Sequence, residues 1–500
     1  MQKRQVLINA IFSVIQIVVI GVVLFVLYRF LLNTIGVKQL GIWSLVLATS
    51  SVAQVTNFGL AGSAVKFVAK YTALEESENV SGVIQTAAIS MAFIAAFVLL
   101  IAYPIIKKIF TLVVPPESLP LAIEILPYAF LALWFVVVTG VFQAALDGRQ
   151  RVDIRSSLLM GSAVLNLILC FILVPVYGLL GVAYARVLQV LTMFLVSWVL
   201  LKRYVTLPLI PYRWDKRLFK EIAGYGISFQ IISITSMFYD PVTKALLSKF
   251  GNLAMVGYYE MASRMIQQFR ALVVSANQVL VPAIADLKER TPEKIDLVYL
   301  KSYQLLFYLI VPLFSLIIIS LPLISKIWIG HYENVFIIIG ILLIIGWFLN
   351  TLNAPAYFAY LGIGELYWNV IGHITIGVLN ICLGFLLGMT FDGIGVVVAW
   401  TISLALGSSI IYLSYHIKHN IPLIELLPKA SRMMIATCLI GILSTLIIQH
   451  KLNHIFNAST PNTIILFLFS IVVFIFLWLH PMRKCLVGWI SKHLLQVKSP

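Results

Sequence analysis

The stretch at 165–183, LNLILCFILVPVYGLLGVA, decides the fold together with a second stretch at 379–397, LNICLGFLLGMTFDGIGVV. Both begin with Leu-Asn, run through an apolar segment, turn near a glycine and enter a second apolar segment. Apolar runs of ~20 residues are long enough for an α-helix to cross a bilayer. The two stretches are offset by 214 positions, the difference between 165 and 379. The chain therefore contains membrane-spanning helices that belong to an internal repeat.

The composition of the whole chain agrees with these two stretches. Residues of the set AVILMFWYC make up 61% of the 500 residues and charged residues 11%, whereas roughly 25% of a soluble chain is charged. We predict an all-α polytopic membrane protein with about fourteen spanning helices. Their short connectors leave no room for a soluble catalytic domain. The predicted spans are 6–32, 40–61, 83–106, 123–146, 157–177, 180–201, 222–246, 253–282, 303–323, 335–360, 368–389, 394–415, 433–449 and 463–479.

The repeat extends beyond the two opening stretches and defines the architecture. The same offset relates Gly148 to Gly362, and an offset of 215 relates 29–36 to 244–251. Because each unit has six spans, both copies enter the membrane from the same side, as parallel repeats related by an axis along the membrane normal. Two lobes around a central cavity are typical of transporters that work by alternating access. We predict an N-terminal lobe at 1–215, a C-terminal lobe at 216–420, and two extra helices with a tail at 421–500.

The formal net charge of +16 suggests nucleic acid as a partner, but the placement of the charges argues against it. With a cytoplasmic N-terminus, most of the 35 Lys and Arg residues fall on cytoplasmic connectors, as the positive-inside rule requires. An even number of spans returns the C-terminus to the cytoplasm. We therefore predict a multi-pass protein with both termini cytoplasmic and no nucleic-acid partner. Examples of these basic connectors lie at 149–155, 202–220, 288–301 and 483–498.

Three segments resemble a known family. The segment GIWSLVLATSSVAQVTNFGLAGSAVKFVAKY at 41–71 resembles the second-helix signature of polysaccharide flippases in the multidrug/oligosaccharidyl-lipid/polysaccharide exporter superfamily. The tracts at 225–229 and 276–282 match the opening of the second lobe and the end of the eighth helix in that family. The resemblance implies a flippase of the lipid-linked oligosaccharide or O-antigen type in the bacterial inner membrane. Its implied substrate is an undecaprenyl-diphosphate-linked sugar, and other polysaccharide-assembly membrane proteins are possible partners.

Ionisable residues inside spans mark candidate binding sites, because burying a charge in the bilayer costs at least ~2.5–3.5 kcal/mol. One interpretation is structural, since Asp240–Lys244 and Glu260–Arg264 have the i,i+4 spacing of helical ion pairs. The functional interpretation is a set of cations that holds a diphosphate, which Arg can bind bidentately. The candidate diphosphate ligands are Arg29, Lys244, Arg264 and Arg270.

Other polar residues give secondary candidates. Lys66 and Lys70 are expected either at the cavity entrance or as ordinary positive-inside anchors, and Asp240 and Glu260 are candidates for ion coupling. Polar side chains within spans line cavities or form interhelical hydrogen bonds. The candidates for lining the cavity and meeting sugar hydroxyls are Gln16, Gln54, Asn57, Gln230, Gln268, Asn350 and Asn353.

Missing motifs narrow the alternatives. The sequence contains no GxxxxGK[ST], HExxH or GxSxG motif, so we predict no enzyme activity, no cofactor and no metal site. A multidrug or other small-molecule exporter of the same superfamily remains an alternative, although basic residues outnumber acidic ones in the predicted spans. A membrane polysaccharide polymerase or ligase is a further alternative. Such an enzyme is expected to have a long outer loop with catalytic Arg or His, which the connector at 107–122 does not supply.

Overall fold

The computed structural model describes residues 3–51, 60–226, 235–278, 280–452 and 459–483, and this part of the chain contains helices without strands. Gln54, Asn57 and Gln230 lie outside the described residues. The helices are α1 Lys3–Ser51, α2 Leu60–Ala73, α3 Ser77–Val113, α4 Leu119–Gly148, α5 Val152–Tyr177, α6 Leu179–Leu201, α7 Lys216–Gly226, α8 Tyr239–Phe250, α9 Leu253–Asn277, α10 Leu280–Arg290, α11 Ile295–Ile329, α12 Asn334–Leu352, α13 Ala354–Ile363, α14 Tyr367–Lys418, α15 Arg432–Leu452 and α16 Ser459–Leu479.

Two of these helices each contain a break between two predicted spans. In α1 the break is at Gly36, whose φ of 77° and ψ of 166° are open to glycine and strained for other residues. In α14 the break is at Asp392, with φ 54° and ψ −148°. Nine helices of the described residues are long and apolar enough to cross a membrane. The multi-pass architecture is therefore confirmed, and the number of fourteen spans stays a prediction.

The backbone at the two turns of the repeat agrees closely. Gly178, between α5 and α6, has φ 56° and ψ −131°, and Asp392 lies 214 positions later with nearly the same dihedral angles. A Cβ on Gly181 would lie 2.4 Å from the carbonyl oxygen of Leu173, and the equivalent Cβ on Gly395 would lie 2.0 Å from that of Leu387. The repeat detected in the sequence therefore corresponds to a repeated helix–turn–helix geometry.

The chain divides into two units, Met1–Glu260 and Met261–Pro500. In the first unit α4 packs against α1, α2, α3, α5 and α6, while α7 packs on α2 and α3, and α8 on α1 and α3. In the second unit α12 packs against α14, α10 against α13, and α11 against α12, α15 and α16. The lobe boundary at 215/216 stays a prediction, and α7 and α8 pack with helices of the first unit.

Candidate functional site

A buried ion cluster lies inside the first unit, centred on Lys244 of α8. The Lys244 Nζ is 2.6 Å from Asp240 Oδ2 and 2.6 Å from Glu260 Oε2, and the lysine side chain is 1% exposed. Glu260 is 2% exposed and also accepts hydrogen bonds from Tyr28 Oη at 2.8 Å and Ser44 Oγ at 3.1 Å. The cluster therefore joins both parts of α1 to α8 and α9.

The local sequence explains how these groups meet. Asp240 and Lys244 are one turn apart on α8, so their pairing follows from helix geometry. Asn252 then begins α9 by accepting the backbone N–H of Met255 at 2.9 Å. Glu260 follows two turns later on α9, facing α1. A carboxylate this buried needs a cation and hydrogen-bond donors to offset its desolvation, and the cluster supplies both.

Close backbone contact brings α1 and α9 into this arrangement. A Cβ on Gly41 would lie 1.8 Å from the carbonyl oxygen of Leu253, and a Cβ on Gly257 would lie 2.6 Å from that of Val37. Only glycine permits an approach of this kind. The two glycines thus allow Ser44 to reach Glu260 across the helix crossing.

A second polar group lies inside the second unit around Arg270 of α9. The Arg270 Nη2 donates a hydrogen bond to Asn350 Oδ1 at 2.8 Å, and its guanidinium carbon is 4.7 Å from the ring centroid of Trp347. Asn350 Nδ2 in turn donates to Ser408 Oγ at 2.9 Å, which fixes the orientation of the Asn350 amide. Among the described residues, no carboxylate lies within 4.0 Å of Arg270.

Donors outnumber acceptors around Arg270. The Nε of Arg270 and the Nε1 of Trp347 are buried and have no hydrogen-bond acceptor in the described part of the chain. A buried donor without an acceptor costs about 1–3 kcal/mol. A half-buried guanidinium with unsatisfied donors nearby is suited to an anion with several oxygens.

The structure separates the four predicted diphosphate ligands into different environments. Arg29 is exposed on α1, Lys244 is enclosed by its two carboxylates, and Arg264 and Arg270 are half-buried on α9. Arg29 and Lys244 occupy equivalent repeat positions but differ in burial. The Lys244 ammonium would have to leave its cluster before it could bind a ligand.

The remaining predicted residues are spread along the chain. Lys66 and Lys70 are exposed on α2, with their ammonium groups 5.7 and 5.8 Å from the Phe67 ring centroid. Gln16 and Gln268 are half-buried, and Asn350 and Asn353 are buried. Of the predicted cavity-lining residues that the structure describes, Asn350 is the one hydrogen-bonded to a predicted diphosphate ligand.

Sequence reasoning missed four partners of these groups: Tyr28, Ser44, Trp347 and Ser408. Tyr28 and Ser44 lie 232 and 216 positions from Glu260, and Ser408 lies 58 positions from Asn350. No helical spacing connects residues so far apart. Their side chains are also common in spans, so they carry no signal of their own in the sequence.

Comparison with known proteins places the chain in a family. A family described as "Polysaccharide biosynthesis protein" matches residues 6–288, more than half of the chain. The chain belongs to this family. No match was found among curated protein sequences.

Several solved structures share this fold, among them transporters of the MOP superfamily. An inward-facing multidrug resistance transporter of the MATE family has a TM-score of 0.70 at 18% identity, covering 80% of this chain and 94% of that chain. The lipid II flippase MurJ, in an inward closed conformation, has a TM-score of 0.69 at 14% identity, covering 93% and 98%. A MOP superfamily transporter from Pyrococcus furiosus has a TM-score of 0.57 at 16% identity, covering 81% and 95%.

At these identities the likeness shows the fold alone. The chain of this polysaccharide biosynthesis protein thus has the helical fold of MOP superfamily transporters, as the resemblance of its motifs predicted. The family connects the chain to polysaccharide biosynthesis, and the matched structures show its fold.

Proposed function

We propose that the protein is a flippase that moves a polyprenyl-diphosphate-linked oligosaccharide from the cytoplasmic to the outer leaflet of the bacterial inner membrane. The family connects the chain to polysaccharide synthesis, and its fold is shared by the lipid II flippase MurJ. A charged head group cannot cross hydrocarbon unaided, because its desolvation is too costly. Alternating access of two lobes would carry the head group while the polyprenyl tail stays in lipid.

The environment of Arg270 is the observation that carries this proposal. A guanidinium beside a tryptophan and an amide, with no carboxylate nearby among the described residues, has its charge available for an anion. A diphosphate offers paired oxygens that match the fork of guanidinium N–H groups. We assign Arg270 the leading role in diphosphate binding, with Arg264 and Arg29 as further cations and Asn350 as the residue that positions Arg270.

The other predicted site residues enter the proposal in smaller roles. The Lys244 cluster holds α1, α8 and α9 together, so its diphosphate contact would require the cluster to open. Asp240 and Glu260 remain candidates for proton or sodium coupling through that same opening. Lys66 and Lys70, both exposed on α2, are proposed to attract the diphosphate at the entrance. We further propose cytoplasmic termini and contact with other polysaccharide-assembly membrane proteins.

A small-molecule exporter is the second candidate, favoured by the MATE transporter whose fold matches as well as that of MurJ. An exporter of cations needs acidic side chains that a cationic substrate can reach. In the first unit, two acids of the predicted spans, Asp240 and Glu260, both bind Lys244. This engagement supports the flippase over the cation exporter.

Flipping of a fluorescent polyprenyl-diphosphate oligosaccharide in proteoliposomes tests the function. We expect Arg270→Ala to lower the flipping rate by roughly tenfold or more, because a charge-assisted hydrogen bond is worth ~1.5–3 kcal/mol. Arg270→Lys should recover part of the rate, since it keeps the charge and loses the fork. Arg290→Ala, at a position that is 76% exposed, is the matched arginine control and should flip like the wild type.

Two results would decide against the proposal. If Arg270→Ala flips like the wild type, the head group binds elsewhere. If the wild type does not flip the lipid but exports a cationic dye from the same vesicles, the exporter is the correct function.

A further inference from the structure

The segment 202–215, which we call the α6–α7 linker, is hydrogen-bonded to α3. Gln85 Oε1 accepts hydrogen bonds from the backbone N–H groups of Tyr212 at 3.2 Å and Arg213 at 3.1 Å. The Nε1 of Trp214 donates to Ser90 Oγ at 3.0 Å. The linker backbone is therefore held at a defined level beside a membrane-spanning helix.

This linker exposes large apolar side chains. Leu209 is 78% exposed, Ile210 71% and Tyr212 79%. Neighbouring apolar side chains in water are unfavourable, whereas an irregular backbone within hydrocarbon leaves its polar groups without partners. The boundary between headgroups and acyl chains suits both properties. Tyr and Trp are enriched at that depth in membrane proteins.

The first turns of α7 add a basic face beside these apolar side chains. Two backbone hydrogen bonds, from Arg217 and then Leu218, hold the pKa of the Asp215 carboxyl below its usual range, so Asp215 is ionised and caps the helix. Leu218 and Ile222 are buried against the protein. The exposed cations are Arg203, Arg213, Lys216, Arg217 and Lys220.

The cations and the exposed apolar side chains of this segment together indicate which kind of ligand it binds. The segment 202–220 contains six Lys and Arg residues and one acidic residue. We infer that the α6–α7 linker and the first turns of α7 bind anionic phospholipid headgroups of the adjacent leaflet. In this arrangement Leu209, Ile210 and Tyr212 insert at the base of the headgroups, and the cations meet lipid phosphates. The inference concerns resident lipid and is independent of the transported substrate.

Membrane continuity favours lipid over a soluble acidic partner. The linker begins where α6 ends and is hydrogen-bonded to α3. Both of these membrane-spanning helices place it next to the bilayer. A soluble protein or nucleic-acid partner would account for the cations of the linker but not for its exposed apolar side chains.

Native mass spectrometry of the full-length protein tests headgroup selectivity, with phosphatidylglycerol and phosphatidylcholine added at equal concentration. The linker variant is Arg213→Gln with Arg217→Gln and Lys220→Gln. The control removes three exposed cations elsewhere, by Lys107→Gln, Lys108→Gln and Arg290→Gln. We expect the wild type to retain phosphatidylglycerol in preference to phosphatidylcholine. The linker variant should retain at least about fivefold less phosphatidylglycerol than the control variant. Equal retention by the two variants would overturn the inference.

Depth is tested separately with a nitroxide at Tyr212→Cys, in a chain carrying Cys382→Ser and Cys485→Ser. The protein is reconstituted in vesicles containing phosphatidylglycerol. We expect the label to be relaxed by oxygen and protected from a water-soluble nickel complex, unlike a label at Arg290→Cys. A label at position 212 that meets the nickel complex as freely as the label at position 290 would place the linker in water and refute insertion. Neither readout depends on flipping, so failure of the proposed function leaves this test intact.

Discussion

At the scale of single residues, the Lys244 cluster shows how the first unit accommodates three ionisable side chains among apolar helices. Each carboxylate lies 2.6 Å from the ammonium, and Glu260 also receives two hydroxyl donors. Removing one partner of a buried ion pair is more destabilising than replacing both partners by apolar residues, because a charge is left without compensation. Lys244 is therefore expected to be more important for stability than any exposed lysine.

Replacing Lys244 by alanine should destabilise the protein by about 3–5 kcal/mol, because the buried Glu260 carboxylate would lose the ammonium that lies 2.6 Å from it. Lys249→Ala is the matched control on the same helix, where the lysine is exposed. Thermal unfolding in detergent should show a clear fall in Tm for the first variant and little change for the second. Similar Tm values for both would mean that Lys244 contributes little to stability.

Part of this cluster could be predicted from the sequence. The Asp240–Lys244 pair follows from i,i+4 spacing, which is a local property of a helix. The pairing of Lys244 with Glu260 crosses from α8 to α9, and the contact from Tyr28 comes from α1. These contacts depend on helix packing, so spacing alone could not predict them. The polar nature of position 270 was likewise visible, but its neighbour Trp347 was not.

At the scale of helices, the crossing of α1 and α9 depends on two glycines. An alanine at Gly41 would place its Cβ 1.8 Å from a backbone oxygen, so the helices would have to separate. We expect Gly41→Ala to destabilise the protein and to weaken the Ser44–Glu260 contact. Gly21 lies on the same helix with nothing within 4 Å of its Cβ position.

Gly21→Ala is therefore the matched control for that crossing. It should leave stability unchanged or raise it by about 0.5–1 kcal/mol, since alanine is the better helix former. Thermal unfolding of the two variants measures the difference directly. A Gly41→Ala variant as stable as Gly21→Ala would show that the crossing relaxes without cost.

At the helix breaks, the sequence predicted where the chain turns but not the backbone conformation of the turn. The repeat and the separation of spans at 389–394 could be predicted, because turn residues interrupt the apolar run. The sequence did not indicate that Asp392 adopts the backbone of Gly178, since a non-glycine residue rarely has positive φ. At the same turn Gly395 approaches the preceding helix closely, with its Cβ position 2.0 Å from the carbonyl oxygen of Leu387.

At the scale of the whole molecule, apolar length and charge asymmetry were sufficient to predict a polytopic helical protein. These signals reflect the bilayer, which constrains every span in the same way. The division of the chain at 260/261 depends instead on which helices pack together. Packing of α7 and α8 against α2, α3 and α1 follows from side-chain fit and interhelical contacts, which composition does not record.

The proposed transport of a diphosphate head group has an electrical consequence for the whole molecule. Outward movement of about two negative charges is favoured by about 4.6 kcal/mol at an inside-negative potential of 100 mV, if no cation accompanies them. Potassium diffusion potentials of either sign can be imposed on proteoliposomes with valinomycin. We expect an inside-negative potential to shift the lipid toward the outer leaflet, and the opposite potential to shift it inward. A distribution of the lipid between the leaflets that does not change with the potential would mean that protons or sodium ions move with the head group. The acids Asp240 and Glu260 would then be the first residues to replace.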